Sequence, residues 1–264
     1  MCRLVAYLGE ELFLDELIAK PRHSLMRQSL HARQALSATH GDGFGIGWYG
    51  ARDEPGVYRE VMPAWSDDNL LALSRCLRSR LFFAHVRAAT TGAVSRQNCH
   101  PFRHGRYLFM HNGQIGGYDR IRRALEGGLP DALFARRCGA TDSELLFLLA
   151  MARVERGEPL PQAMLGVLGH TAALMRDHGI EQPLRFAAVL ADGRQLHAFR
   201  FASDGQPPTL YSRDSGSGVV VASEPLCGDE PGWQSLPVDA VLSVTRDGSA
   251  LTLQPLDHAA PAAA

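Results

Sequence analysis

The sequence has almost no excess of charge of either sign. Its 27 Lys and Arg against 28 Asp and Glu leave a formal net charge of -1, which supplies no broad cationic field for nucleic acid. Local groups such as Arg120, Arg122 and Arg123 read as solvated helix faces, so no nucleic-acid partner is expected. Long hydrophobic runs are missing too. No segment approaches the ~18–20 continuous apolar residues of a membrane span, and the N-terminus lacks the basic start, apolar stretch and small-residue cleavage site of a signal peptide. Cysteine is sparse: five residues, an odd number without a C-x-x-C pair, make neither a disulfide framework nor a zinc ribbon. The expectation is a cytoplasmic protein in a reducing compartment, with no membrane partner.

What is present is an ordinary globular composition, 45% hydrophobic and 21% charged over 264 residues, enough apolar side chain for a substantial core. One domain over residues 2–258 is expected, with the Ala/Pro-rich tail 259–264 disordered. Arg3 to Leu8 is an apolar, strand-like run, and Gly43 to Tyr49 alternates glycine with bulky residues, as in a strand closely approached by another backbone. Leu70 to Leu77 has helical spacing behind the cap candidates Asp67 and Asp68, and leads through Ser79 and Arg80 into a strand over Leu81–Val86. Tyr107 to Met110 reads as a short strand ending at a turn, His111-Asn112-Gly113. Helices are predicted from Thr141 and over Pro161–His178. After Pro183 the pattern becomes strand-rich, over Leu184–Leu190, Gln195–Phe201, Thr209–Tyr211, Val219–Ala222 and Val241–Val244, and Asp192-Gly193, Asp204-Gly205 and Asp247-Gly248 signal antiparallel meanders. Strands, then helices, then strands indicate an α+β layered body.

Several residues could carry chemistry. Cys2 follows a methionine of the kind aminopeptidases remove before a small side chain. A cysteine at a mature N-terminus joins a thiol of pKa ~8.5 to an α-amine of pKa ~8, nucleophile and base in one residue; the alternative is an incidental small residue. Arg87, in His85-Val86-Arg87-Ala88-Ala89-Thr90-Thr91-Gly92, stands at a strand-to-loop edge and suits a planar carboxylate, or else an ion pair with a surface Glu. Asn112 and Gly113 offer an amide NH₂ and a backbone N–H, a donor pair for an oxyanion, or a plain Asn-Gly turn. Asp142 could bind an ammonium or cap its helix. Arg87 and Asp142 together complement a zwitterionic α-amino acid. Cys99, His100, His104 and His111 lack the spacing of a structural zinc site, and Gly41-Asp42-Gly43-Phe44-Gly45 lacks the Lys-Ser/Thr ending of a phosphate loop; the latter reads as tight backbone packing. No metal is expected.

In order along the chain, Met1-Cys2-Arg3, Gly41-Asp42-Gly43-Phe44-Gly45, His85-x-Arg87-Ala88-Ala89-Thr90, His100-Pro101-Phe102, His111-Asn112-Gly113 and Thr141-Asp142-Ser143-Glu144 resemble the class II glutamine amidotransferases. The resemblance implies a four-layer αββα sandwich of two antiparallel sheets flanked by helices, of the N-terminal-nucleophile (Ntn) hydrolase type. It implies that Cys2 is the nucleophile, Arg87 holds the α-carboxylate, Asp142 holds the α-amine, Asn112 and Gly113 form the oxyanion hole, and Thr90 supports the Arg87 loop. It needs no cofactor. Cys2-Arg3, Trp65-Ser66-Asp67, Leu77-Arg78-Ser79-Arg80, Ser223-Glu224-Pro225 and Asp229-Glu230-Pro231-Gly232-Trp233 further resemble the γ-glutamyl amidase of ergothioneine biosynthesis and its stand-alone relatives. The implied partner is glutamine or a γ-glutamyl small molecule. The rivals are a glutaminase subunit that supplies ammonia to a separate synthase, an acylase, and a non-catalytic γ-glutamyl-binding module.

Overall fold

The computed structural model describes residues 2–35, 39–89, 92–227, 231–245 and 248–253. Thr90, Asp247 and the tail expected to fray at 259–264 lie outside the described residues. The strands are β1 (Arg3–Phe13), β2 (Phe44–Trp48), β3 (Gly56–Glu60), β4 (Arg78–Val86), β5 (Phe102–His104), β6 (Tyr107–Ile115), β7 (Leu184–Ala191), β8 (Leu196–Ala202), β9 (Tyr211–Asp214), β10 (Gly218–Ala222), β11 (Gln234–Ser235), β12 (Ala240–Thr245) and β13 (Gly248–Leu253). They form two sheets, ordered β11-β9-β10-β1-β4-β2-β3 and β13-β12-β8-β7-β6-β5, with antiparallel pairing between neighbours. The short helices α1 (Asp15–Ile18) and α2 (Leu25–Leu30) and the helix α3 (Asp68–Cys76) lie on the outer face of the first sheet. The outer face of the second is covered by α4 (Tyr118–Glu126), α5 (Asp131–Phe134), α6 (Asp142–Val154) and α7 (Leu160–Asp177).

Side-chain alternation along the strands produces the layers, since successive residues point to opposite faces. Leu4, Ala6 and Leu8 of β1, Leu81 and Phe83 of β4 and Leu108 and Met110 of β6 pack between the sheets. Their neighbours turn outward: Val5, Tyr7, Phe82, Ala84 and Val86 pack under α1–α3, and Phe109 and Ile115 pack under α4, α6 and α7. Three apolar layers result, and each buried Leu or Phe contributes roughly 1.5–3 kcal/mol. The sandwich predicted from the family resemblance is the observed one.

Some expected boundaries are corrected. His111-Asn112-Gly113 is not a turn: β6 runs on to Ile115, with Asn112 opposite Ala187 and Gly113 opposite Phe186. The long partner β7 keeps the ladder going, and Gly113 is tolerated because a Cβ there would run into the Arg185 carbonyl oxygen. Ser79 and Arg80 belong to β4 rather than leading into it. The strand expected at Thr209–Tyr211 starts at Tyr211. The late hairpins do not make one meander: β7–β8 and β12–β13 lie in the second sheet, whereas β9–β10 crosses to the first. The glycines of β2 act as the sequence suggests. A Cβ on Gly45 would strike the His100 carbonyl oxygen, and one on Gly47 would come within 2.8 Å of Pro101 Cγ, so their absence lets the His100-Pro101 segment lie across the strand.

Candidate active site

Cys2 stands one residue before the Arg3–Val86 pair of the β1–β4 ladder, which places it level with Arg87 on the neighbouring strand. Arg87 in turn is held by its own backbone, its N–H donating to the Gly43 carbonyl at 2.8 Å while its carbonyl accepts from Asp42 N at 3.1 Å. The alternation that sends Leu4, Phe83 and Met110 inward carries Cys2, Arg87 and Asn112 to the same inner face, at one end of the sandwich. Asp142 reaches that end from the other side. It opens α6, and its Oδ2 accepts from Ile115 N, at the end of β6, at 2.9 Å.

The local environments differ in ways that matter chemically. The Cys2 thiol donates to the Ala88 carbonyl at 3.5 Å. Burial pushes its pKa up, while the Arg87 and Arg3 guanidiniums pull it down; the thiol therefore needs a base at neutral pH. Arg87 is buried, 3% exposed, which rules out the surface ion pair, and its Nη1 donates to the Ala93 carbonyl at 3.3 Å. Asn112 is fully buried, and neither its Nδ2 nor its Oδ1 has a hydrogen-bond partner among the described residues. An unpaired buried amide costs ~1–3 kcal/mol, so a fold that keeps one has a use for it that packing does not supply. Asp142 does not cap α6; Thr141 does, its Oγ1 accepting from Glu144 N at 3.2 Å. Thr90 lies outside the described residues.

The histidines read as poor metal ligands have other partners. His85 donates through Nε2 to the His111 carbonyl at 3.3 Å, a bond between the two sheets, and packs against His100 with the rings tilted by 38° and their centroids 4.2 Å apart. Burial lowers the His85 pKa to about 3 and holds His100 well below its ordinary value, so both rings are neutral. His111 Nε2 faces the Arg185 carbonyl at 3.4 Å and must carry the proton there, which leaves Nδ1 to accept the Ser143 hydroxyl at 2.8 Å. His104 bonds Glu155 at 3.0 Å. Among the described residues no group of three or more His, Cys, Asp and Glu could hold a metal ion.

Several supporting residues owe their roles to contacts that the sequence does not show. Asp42 accepts from Ala89 N at 2.8 Å, and Asn98 links two loops, donating to Ala93 O at 2.8 Å and accepting from Ala140 N at 3.0 Å. Glu144 accepts from the backbone of Cys138 at 3.0 Å and Gly139 at 2.6 Å. Only the chain's return across 42 residues gives Asn98 its second partner. An open cleft of about 1040 Å³, lined in part by Arg59, Arg96, Arg103 and Glu144, contains none of Cys2, Arg87, Asn112 or Asp142. Two of its cations are spent on ion pairs, Arg96 with Glu60 and Arg103 with Glu54. No helix among the described residues is long and apolar enough to cross a membrane.

Comparison with known proteins identifies the family. The model of the family "Glutamine amidotransferases class-II" matches residues 15–205. A protein of Saccharomyces cerevisiae named probable glutamine amidotransferase is 28% identical, over 93% of this chain and 82% of its own length. The gamma-glutamyl-hercynylcysteine sulfoxide hydrolase of Mycolicibacterium smegmatis is 32% identical, over 90% of this chain and 92% of its own. Among solved structures, a glutamine aminotransferase class-II domain protein from Silicibacter pomeroyi superposes with a TM-score of 0.75 at 35% identity, over 96% of this chain and all of the other. The glutamine phosphoribosylpyrophosphate amidotransferase of Bacillus subtilis shares the fold at 15% identity with a TM-score of 0.66, over 96% of this chain and 49% of its own. The chain belongs to the class II glutamine amidotransferases and has their Ntn-type two-sheet sandwich.

Proposed function

We propose that this enzyme hydrolyses the γ-amide of a γ-glutamyl small molecule, or of glutamine itself, through a thioester on Cys2. After removal of Met1 the free α-amine of Cys2 takes the thiol proton, and the sulfur attacks the γ-carbonyl carbon. The negative charge that moves onto the carbonyl oxygen is met by the Asn112 amide and the Gly113 N–H. Collapse breaks the C–N bond, and the α-ammonium returns its proton to the departing amine. Water then attacks the thioester, releases glutamate and restores the thiol. Arg87 grips the substrate α-carboxylate, Asp142 its α-ammonium, and Thr90 supports the Arg87 loop.

The observation that carries this reading is the unpartnered Asn112 amide, buried on the inner face that strand parity also assigns to Cys2 and Arg87. A donor kept unpaired in the ground state is what transition-state stabilisation requires, because its bond forms only when charge develops. The named activity of the Mycolicibacterium relative supports a γ-glutamyl amide over free glutamine.

The test is glutamate release from glutamine and a panel of γ-glutamyl amides, with intact mass confirming loss of Met1. Cys2→Ala is expected to abolish release from every substrate. Full release by that variant, or an active protein that retains Met1, would sink the mechanism.

A further inference from the structure

Residue 3 is a second unusual feature of this N-terminus. Arg3 lies on the face of β1 that turns away from Cys2, and its side chain is entirely buried. Its Nη1 pairs with Glu224 Oε1 at 3.3 Å and donates to Thr209 Oγ1 at 3.4 Å. Its Nε and Nη2 have no partner among the described residues. Glu224, 1% exposed, is more fully engaged. Its Oε1 accepts from Gln34 N at 2.9 Å, and its Oε2 accepts from Arg33 N at 3.0 Å and from His23 Nε2 at 2.7 Å. One residue earlier, Ser223 exchanges two bonds with Leu4: the Ser223 hydroxyl accepts from Leu4 N at 3.0 Å, and Ser223 N donates to Leu4 O at 3.0 Å. Consecutive residues after β10 thus clamp the two residues that follow Cys2, and the same carboxylate gathers the loop at 33–34 and the segment before α2.

A buried ion pair is a poor means of stabilising a fold, because apolar residues of similar volume usually do as well or better. A fully buried Arg with two unused donors, placed beside the nucleophile, calls for another role. The second observation is positional: Cys2 lies outside β1, so the direction in which it points at the strand ends is set by how rigidly residues 3 and 4 are held. Effective attack requires the reacting atoms within about 3–3.5 Å and aligned, and a misplacement of ~1 Å can cost about a hundredfold in rate.

We propose that Arg3 and Glu224 are positioning residues for Cys2, locking the start of β1 so that the thiol and α-amine meet the substrate in one orientation. This rests on the reading of Cys2 as nucleophile. Arg3 turns away from Cys2 on β1 and the Glu224 carboxylate is spent on protein partners, so their loss is expected to act on the chemical step and not on binding.

The test replaces the pair with apolar residues, Arg3→Met with Glu224→Leu, and measures kcat and KM for a γ-glutamyl amide beside the thermal midpoint and intact mass. The expected result is a folded protein whose midpoint is lowered, because Leu at 224 leaves His23 and the N–H groups of Arg33 and Gln34 without their acceptor, with KM within about twofold and kcat reduced roughly ten- to a hundredfold. A folded, processed double variant with kcat within twofold of the parent overturns the proposal, as does a rise in KM at unchanged kcat. Glu224→Gln leaves residues 1–3 as they are; it decides the matter by the same kcat and KM criteria if the double variant misfolds or keeps Met1. Cys2→Ala separates the two levels: an active Cys2→Ala protein removes the nucleophile reading, whereas an inactive one beside a full-speed double variant removes only the clamp.

Discussion

Asn112 separates function from stability at the scale of one residue. Its amide is buried without partners, so it contributes desolvation cost and no compensating bond to the resting fold. Asn112→Ala is therefore expected to leave the thermal midpoint unchanged or slightly higher while kcat falls on the order of a hundredfold, the loss of about 3 kcal/mol of transition-state stabilisation that one oxyanion donor typically supplies. Steady-state kinetics beside calorimetry on the same preparation checks both halves. A variant that loses stability and keeps its rate would reassign Asn112 to the core. The type and place of this residue were legible in the sequence; its missing partners were not, because an unpaired state depends on every neighbour the fold brings near.

At the scale of elements, β2 and the segment that crosses it set the edge of the site. Gly43, Gly45 and Gly47 leave room for Cys99, His100 and Pro101, and His100 packs against His85, whose Nε2 bonds the carbonyl of His111, beside Asn112. A methyl group at Gly45 has backbone in its way, where no side-chain rotation can relieve it. Gly45→Ala is expected to cost about 1–3 kcal/mol in urea unfolding and to lower kcat through the displaced histidine pair, whereas Gly50→Ala, where a Cβ meets nothing within 4 Å, should be nearly neutral. Equal effects at the two positions would remove the close-approach account. The alternation of glycine with bulky residues announced this contact. It did not say what approaches, because His100 lies more than fifty positions away in the chain.

At the scale of the molecule, stability should depend on acid in a defined direction. Burial lowers the pKa of His85 to about 3 and that of His197 to about 4, and His100 lies well below its ordinary 6.5. The unfolded chain binds protons at these rings once the pH drops below about 6.5, and the folded chain does not. Their contribution is therefore complete above pH 6.5 and is lost as the pH falls towards the folded values. Glu224 adds to the loss lower down. Burial alone would raise its pKa, but bonds from His23, Gln34 and Arg33 and the charge of Arg3 bring it to about 2, so its share disappears between about pH 4.5 and 2. Thermal midpoints measured from pH 7.5 to 4 should decline steadily, beginning near pH 6.5. A midpoint flat down to pH 5 would mean that the buried imidazoles accept charge in the native state.

The sequence by itself determined an α+β layered body, through the order of its strands and helices; its resemblance to the family supplied the two-sheet sandwich and singled out Cys2, Arg87, Asn112, Gly113 and Asp142 as candidates, because their functional groups are distinctive and their order along the chain matches the family. It mistook Asn112-Gly113 for a turn because local propensity favours one there, and only the pairing with β7 overrides it. Tertiary structure alone decided that Thr141 rather than Asp142 caps α6, that Asp42 and Asn98 hold the loops around Arg87, and that Glu224 meets Arg3 across 220 positions of chain. Those contacts are formed by side chains whose chemistry is common and whose meaning lies in their partners. The partners are chosen by how the sheets close on one another, a property of the whole chain that no local window of residues contains.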